Sequence, residues 1–354
     1  MTGTLYAGVT QNRGGADTTD FPDSLGGVFR LKPGDGEWEH LSEGMPAGSQ
    51  ALCLTVAPGG AVYAGTHEGA YVSEDGGDRW RRLPLPLVQA VYSITLHPEN
   101  PRTIFCGLSP IGIWRSDDAG ATWRALGVRM PDRIDTGIFF DRVMRIAIDP
   151  VRPNEMYAAT EINGAARSTD GGETWQDCSD GLVRLAGERP DLRNAILSSD
   201  ELEGLLDAHA IAVSPARPGS AVIANRVGLF RTEDLGARWT DVGTRRHTDL
   251  AYARDIRVSP HDPATLYACL SIAADSETGG LYRSTDVGET WQRFDRGVKP
   301  DGTVMAVATD PRDANSVFCT TRRGQVLATR DGGASWQTHR LPEQCRSVMA
   351  LACG

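Results

Sequence analysis

Short apolar runs, broken by glycine, proline and aspartate, recur along the chain in a fixed order. The first run ends in a proline turn, as in SITLHPENP at 93–101, RIAIDPVRP at 145–153 and DIRVSPHDP at 255–263. A second follows within a few residues: VYAGT at 62–66, MYAAT at 156–160, LYACL at 266–270. A third begins after a loop and carries glycine in front: GAYVS at 69–73, GAARS at 164–168, GLYRS at 280–284. An acidic turn then leads into a tryptophan that opens a fourth, such as WRRLPL or WQRFDR. Runs of this length with turn residues between them predict strands rather than helices.

The acidic turn fixes the architecture. Seven copies end in Trp38, Trp80, Trp123, Trp175, Trp239, Trp291 and Trp336, spaced 42, 43, 52, 64, 52 and 45 residues apart. A period of this size means one supersecondary unit repeated, here four short strands. Seven such units predict an all-β fold, a seven-bladed β-propeller of four-stranded antiparallel blades forming a single domain over 1–354. The N-terminal unit has strands two, three and four but lacks a first. The C-terminal SVMALACG has the first-strand pattern and is expected to complete that blade, closing the ring and removing open sheet edges.

The turn Ser-x-Asp-x-Gly-x-Thr-Trp, complete at Ser168, Asp170, Gly172, Thr174 and Trp175, resembles the Asp-box or bacterial neuraminidase repeat. The resemblance covers essentially the whole chain, with the copy at Trp38 degenerate. Relatives of that kind include sialidases, sortilin-type receptors, xyloglucan hydrolases and photosystem II assembly factors, so the motif speaks for fold and little for function. Sialidases of this superfamily have six blades and an early Arg-Ile-Pro. This chain has seven repeats and no such motif, which argues against sialidase activity.

Composition narrows the rest. The formal charge is -10, which excludes a general nucleic-acid binder, because that binding rests on basic groups neutralising phosphates. No apolar run approaches the roughly 18 residues of a membrane span, and MTGTLYAGVT lacks the regions of a secretory signal. The reading is a cytoplasmic protein that touches neither nucleic acid nor membrane, a monomer by default. Seven cysteines without CxxC spacing fit buried thiols rather than disulfides.

Strand order separates two faces. The first-to-second turns and the acidic turns share one. The second-to-third loops and blade-to-blade connections share the other, where the long segments 11–26, 126–142, 179–207, 242–252 and 271–279 fall. Variable loops on a rigid scaffold are the expected seat of function. Within 179–207, Ser198-x-x-Glu201 reads as a capping box. It heads a short helix whose Leu202, Leu205 and Leu206 dock on the ring or form a lid.

Aligning the seven first strands gives the sharpest site argument. One column reads Leu52, Tyr92, Met144, His209, Arg254, Met305 and Met349; the next reads Cys53, Ser93, Arg145, Ala210, Asp255, Ala306 and Ala350. His209, Arg254, Arg145 and Asp255 break apolar or small columns, and all lie in adjoining blades four, five and six. Such groups are costly to bury unless paired or solvated. Two readings stay open: an internal ion-pair network, or a channel-mouth pocket for an anionic or sugar ligand.

In the second reading His209, Glu161 and Asp255 carry acid–base work, with Asp207 orienting His209. Arg145, Arg254, His67, Tyr92, Asn225, Arg322 and Tyr252 bind substrate. No cofactor is expected. A divalent metal held by His67, Glu161, His209 and His247 is conceivable, but no ligand spacing supports it. No P-loop or nucleophile elbow is present. The leading expectation is a hydrolase or lyase acting on a small polar substrate at the variable-loop face. The rival is a non-catalytic binding or assembly platform for a protein or glycan.

Overall fold

The computed structural model describes residues 3–11, 24–137 and 140–354. Most of the 11–26 loop and part of the 126–142 connection lie outside the described residues. Seven antiparallel sheets form the ring, and each blade runs from an inner to an outer strand in chain order. In blade one the inner strand is the C-terminal Val348–Cys353, paired with Leu5–Val9. The two chain ends therefore close the ring as the sequence predicts. One blade departs from four strands: in blade four, Gly127–Arg129 adds a fifth, parallel to the outer Thr174–Asp177. No helix among the described residues is long and apolar enough to cross a membrane.

The core lies between blades. Trp175 of blade four is fully buried with Phe105 and Ile113 of blade three and Met156 of its own blade. Its indole N–H donates to the Gly172 carbonyl at 2.9 Å, so the ring is buried without an orphaned donor.

The six acidic turns that follow the degenerate one at Trp38 satisfy themselves. Asp170 accepts from the Thr174 N–H at 3.0 Å, the Thr174 hydroxyl at 2.6 Å and the Ser168 hydroxyl at 2.7 Å. Those bonds, led by the Thr174 hydroxyl, bring its carboxyl down to about 2. The turn needs two consecutive left-handed residues, Gly171 (φ 71) and Gly172 (φ 88) here, Val287 (φ 57) and Gly288 (φ 86) in blade six.

The 179–207 insertion differs from its expectation. A helix at Asp180–Glu188 buries Leu182 and Ala186, and a second, four-residue helix at Glu203–Leu206 buries Leu205 and Leu206. All four join the core between blades four and five, so the segment docks on the ring. The capping box does not form. Buried Glu203, not Glu201, accepts from the N–H groups of Ile196 and Ser198 (3.0 and 2.8 Å) and from the Ser198 hydroxyl. The buried Glu203 carboxylate is stabilised by these local donors and takes the Ser198 N–H in place of the exposed Glu201.

Candidate functional site

The aligned column of the first strands has a backbone cause. In every blade the inner strand pairs with its neighbour up to one residue and resumes after it, leaving that residue as a β-bulge. The bulged residues are Leu52, Tyr92, Met144, His209, Arg254, Met305 and Met349. A bulge takes a residue out of the ladder and re-aims its side chain. Repeated seven times, it presents one ring of side chains to the central channel.

These seven side chains form one end of a cavity of about 350 Å³, within the usual size range of small-ligand pockets. Leu52, Tyr92 and Met144 pack on one another across blades two to four and narrow that end. From the ring the lining continues through Leu54, Ile94 and Leu351 to Val56, Pro58, His97, Pro98 and Pro101. Those last residues belong to the first-to-second turns, and the three prolines are exposed. The cavity thus opens on the acidic-turn face beside blades two and three. The expected mouth on the variable-loop face is corrected: the bulged side chains, bulky and mostly buried, narrow the channel there.

The wall is divided. Apart from Tyr92 and His97, blades one, two and three contribute apolar or small side chains, whose hydroxyls and thiol turn away to the next blade. Ser93 donates to the Val143 carbonyl at 3.2 Å, and Thr55 to that of Ile94 at 2.7 Å. Blades four and six contribute Arg145, Arg254, Asp255 and Arg257. Asp255 is buried and its acceptor positions are taken. One oxygen accepts from Arg145 at 3.0 Å and from the Ile256 N–H; the other accepts from the Val307 N–H at 3.1 Å and from Arg257 at 3.4 Å.

Burial alone would raise the Asp255 carboxyl, yet Arg257 and Arg145 hold it below the usual carboxylate range. The Arg145 guanidinium is pushed down to about 10, first by burial and then by repulsion from Arg257. The catalytic role expected of Asp255 is therefore corrected: it ties blades four, six and seven together as a saturated anion.

Arg254 is the exception on this wall. It is 8% exposed, lines the cavity, and makes no hydrogen bond or ion pair among the described residues. With Asp255 the single carboxylate on the described lining, Arg145, Arg254 and Arg257 leave two positive charges uncompensated.

On the variable-loop side of the ring lies a chain of polar groups. The His67 ring meets Tyr92 edge-on at 6.4 Å. Tyr92 accepts from Arg142 at 2.9 Å, and burial raises its phenol. Arg142 Nε lies 2.7 Å from Glu161, in ion-pair contact without hydrogen-bond alignment. In blade five Asp207 pairs with Arg226, whose guanidinium lies over the Tyr252 ring at 5.8 Å. Tyr252 packs on His209 at 4.9 Å.

His209 Nδ1 lies 2.8 Å from the Ala253 carbonyl, an acceptor, so Nδ1 carries the proton and Nε2 the lone pair. Burial, then Arg254 and Arg226, hold the imidazole well below its ordinary value, so it is neutral. Asp207, expected to orient His209, faces Nε2 with its Oδ1 at 3.6 Å, while the Nδ1 partner is the Ala253 carbonyl.

Of the remaining candidates, Asn225 gives its amide to the Leu205 carbonyl at 2.8 Å and its oxygen to the Val227 and Gly228 N–H groups. It shapes a loop rather than facing a ligand. Arg322 is buried in the blade-seven loop and does not line the cavity. His247 is exposed at the end of a short turn, outside the group formed by Glu161, Asp207 and His209. Arg257 was missed. Its column otherwise holds Thr55, Thr95, Ala147, Ala212, Ala308 and Ala352, so the same alignment read two residues on would have found it.

The fold and its turns define the class: a seven-bladed β-propeller of Asp-box repeats. The BNR/Asp-box repeat model matches residues 166–177. The chain is 25% identical over 224 residues to a xyloglucanase of Acetivibrio thermocellus, covering 55% of this chain and 25% of that protein. It thus spans about a quarter of the length of this curated relative. Among solved structures, the GH74 xyloglucanase from Xanthomonas campestris superposes with a TM-score of 0.63 at 16% identity, over 100% of this chain and 52% of that one. YCF48 from Cyanidioschyzon merolae superposes at 0.54 and 17% identity, over 97% and 96%. At these identities the likeness is one of fold.

Proposed function

We propose that the central channel binds a small oxyanion, a carboxylate or phosphate on an apolar or sugar-like body, and that this is the protein's ligand. The observation that carries the reading is Arg254, whose guanidinium lines the cavity without a protein partner beside two more cationic groups that share one carboxylate. Its N–H donors are open to the cavity, where an anion can take them in place of water. Guanidinium groups bind planar carboxylates through paired N–H donors. The apolar wall of blades one to three suits the body of the ligand. The xyloglucanase relatives make sugar acids the first compounds to test.

Glycoside cleavage in this cavity is not favoured. That chemistry uses two free carboxylates flanking the bond, and the one carboxylate on the described lining, Asp255, is saturated. A second reading, a docking platform, draws on Leu25, Leu87, Val88, Phe140 and Ile272. These are exposed and lie on variable-face loops and connections.

The test is a thermal-shift and calorimetric panel of sugar acids, aliphatic carboxylates and phosphate esters on wild type and Arg254→Met. The reading expects at least one compound to bind wild type and to bind the variant at least tenfold more weakly. Absence of binding across the panel, or equal binding to the variant, overturns it.

A further inference from the structure

At the variable-loop end of the channel, three donor atoms converge without a common partner. Glu161 ends the second strand of blade four, Asp207 precedes the inner strand of blade five, and His209 is that strand's bulged residue. One ligand atom from each lies within 4.8 Å of the others. The Asp207 and His209 side chains are 1% exposed, and Glu161 is 12% exposed. Asp207 Oδ1 is buried with no hydrogen-bond partner and lies 3.6 Å from His209 Nε2. A buried carboxylate oxygen left without a donor is costly, and a cation held between the three groups would satisfy it.

The surroundings match what holds a metal ligand set in place. A ligating imidazole usually donates its other N–H to a carbonyl or carboxylate, and ligating carboxylates are themselves hydrogen-bonded or paired. His209 Nδ1 donates to Ala253, Asp207 is paired through its other oxygen with Arg226, and Glu161 contacts Arg142. We infer that Glu161, Asp207 and His209 form a binding site for a divalent first-row transition metal. One imidazole and two carboxylates, with no thiolate, suit Zn²⁺, Mn²⁺, Fe²⁺ or Co²⁺. The adjacent guanidiniums of Arg142 and Arg226 oppose a cation. They set the affinity below that of a closed structural site and favour an ion that keeps an anionic or hydroxide co-ligand.

This site differs from the one expected of His67, Glu161, His209 and His247. Glu161 and His209 are retained, and Asp207 takes the place of the two outlying histidines. The inference does not rest on the anion reading of the channel.

The experiment is titration of chelator-treated full-length protein with Co²⁺, followed by visible absorption, and with Zn²⁺ and Mn²⁺, followed by calorimetry. Wild type is expected to bind one equivalent and to give Co²⁺ d–d bands of a nitrogen–oxygen site. His209→Asn and Glu161→Gln, checked for folding by circular dichroism, are expected to weaken binding at least tenfold, while the distant surface variant Asp170→Asn retains it. Should one variant fail to fold, the other carries the test. No saturable binding by any of the three ions overturns the inference. So does binding that survives both His209→Asn and Glu161→Gln, which marks an ion held elsewhere.

Discussion

An acidic turn and the charged wall of the channel both hold aspartates by several hydrogen bonds, yet they behave as different kinds of structure. In the turn, Asp170 finds its donors within four residues, at the surface, and the arrangement recurs from blade to blade. In the channel, Asp255 gathers Arg145 from blade four, Val307 from blade seven and Arg257 from its own strand. Beside it Arg254 gathers none. The turns are scaffold because each is complete in itself. The wall is the functional candidate because its charges do not cancel.

The contrast is sharpest in what each aspartate contributes to stability. Asp255→Asn leaves Arg145 and Arg257 without a buried counter-charge. Breaking a buried pair in this way costs about 3–5 kcal/mol, read as a lower urea midpoint with unchanged slope. A loss well under this range would mean that the guanidiniums reach solvent and that the wall is no different from the surface. Asp170→Ala removes a set of exposed local bonds, and a loss of about 1 kcal/mol is expected, by the same titration.

The acid response separates the two regions further. Asp118, Asp170 and Asp331 titrate at about 2 in the fold, against 3.8 for a free aspartate. A carboxyl depressed on folding adds stability that is complete above the unfolded value and is lost as pH falls through the folded one. The melting temperature should therefore decline between about pH 4 and pH 2, by less in Asp170→Asn than in wild type. The smallest expected effect is on the other side of the comparison. Arg254→Met removes a charge that no protein group pairs, so stability should hold. A clear drop in the melting temperature would show that Arg254 has a structural partner after all.

The blades were readable in the sequence because each turn is local and repeats, so strand order, ring closure and the two faces follow from spacing. The same alignment exposed His209, Arg254, Arg145 and Asp255. It missed Arg257 two positions on, although that column of threonines and alanines carried the signal. It also placed the helix of the insertion too narrowly. Leu182, Leu185 and Ala186 sit at helical spacing in DGLVRLAGE, ahead of the segment chosen. Two features were beyond pattern reading. The bulge is a matter of register between strands, which no single strand encodes. The side on which the channel opens depends on how Leu52, Tyr92 and Met144 close against one another. Glu161 lies 46 residues before Asp207 in sequence, and only the packing of blades four and five brings it to Asp207 and His209.

The central claim is that an anion belongs beside Arg254. Crystals soaked in bromide and measured at the bromine edge test it directly. The account predicts an anomalous peak inside the channel, in contact with the Arg254 guanidinium, and its loss in Arg254→Met. A channel without a peak, or Arg254 found turned onto a protein carboxylate, would contradict it.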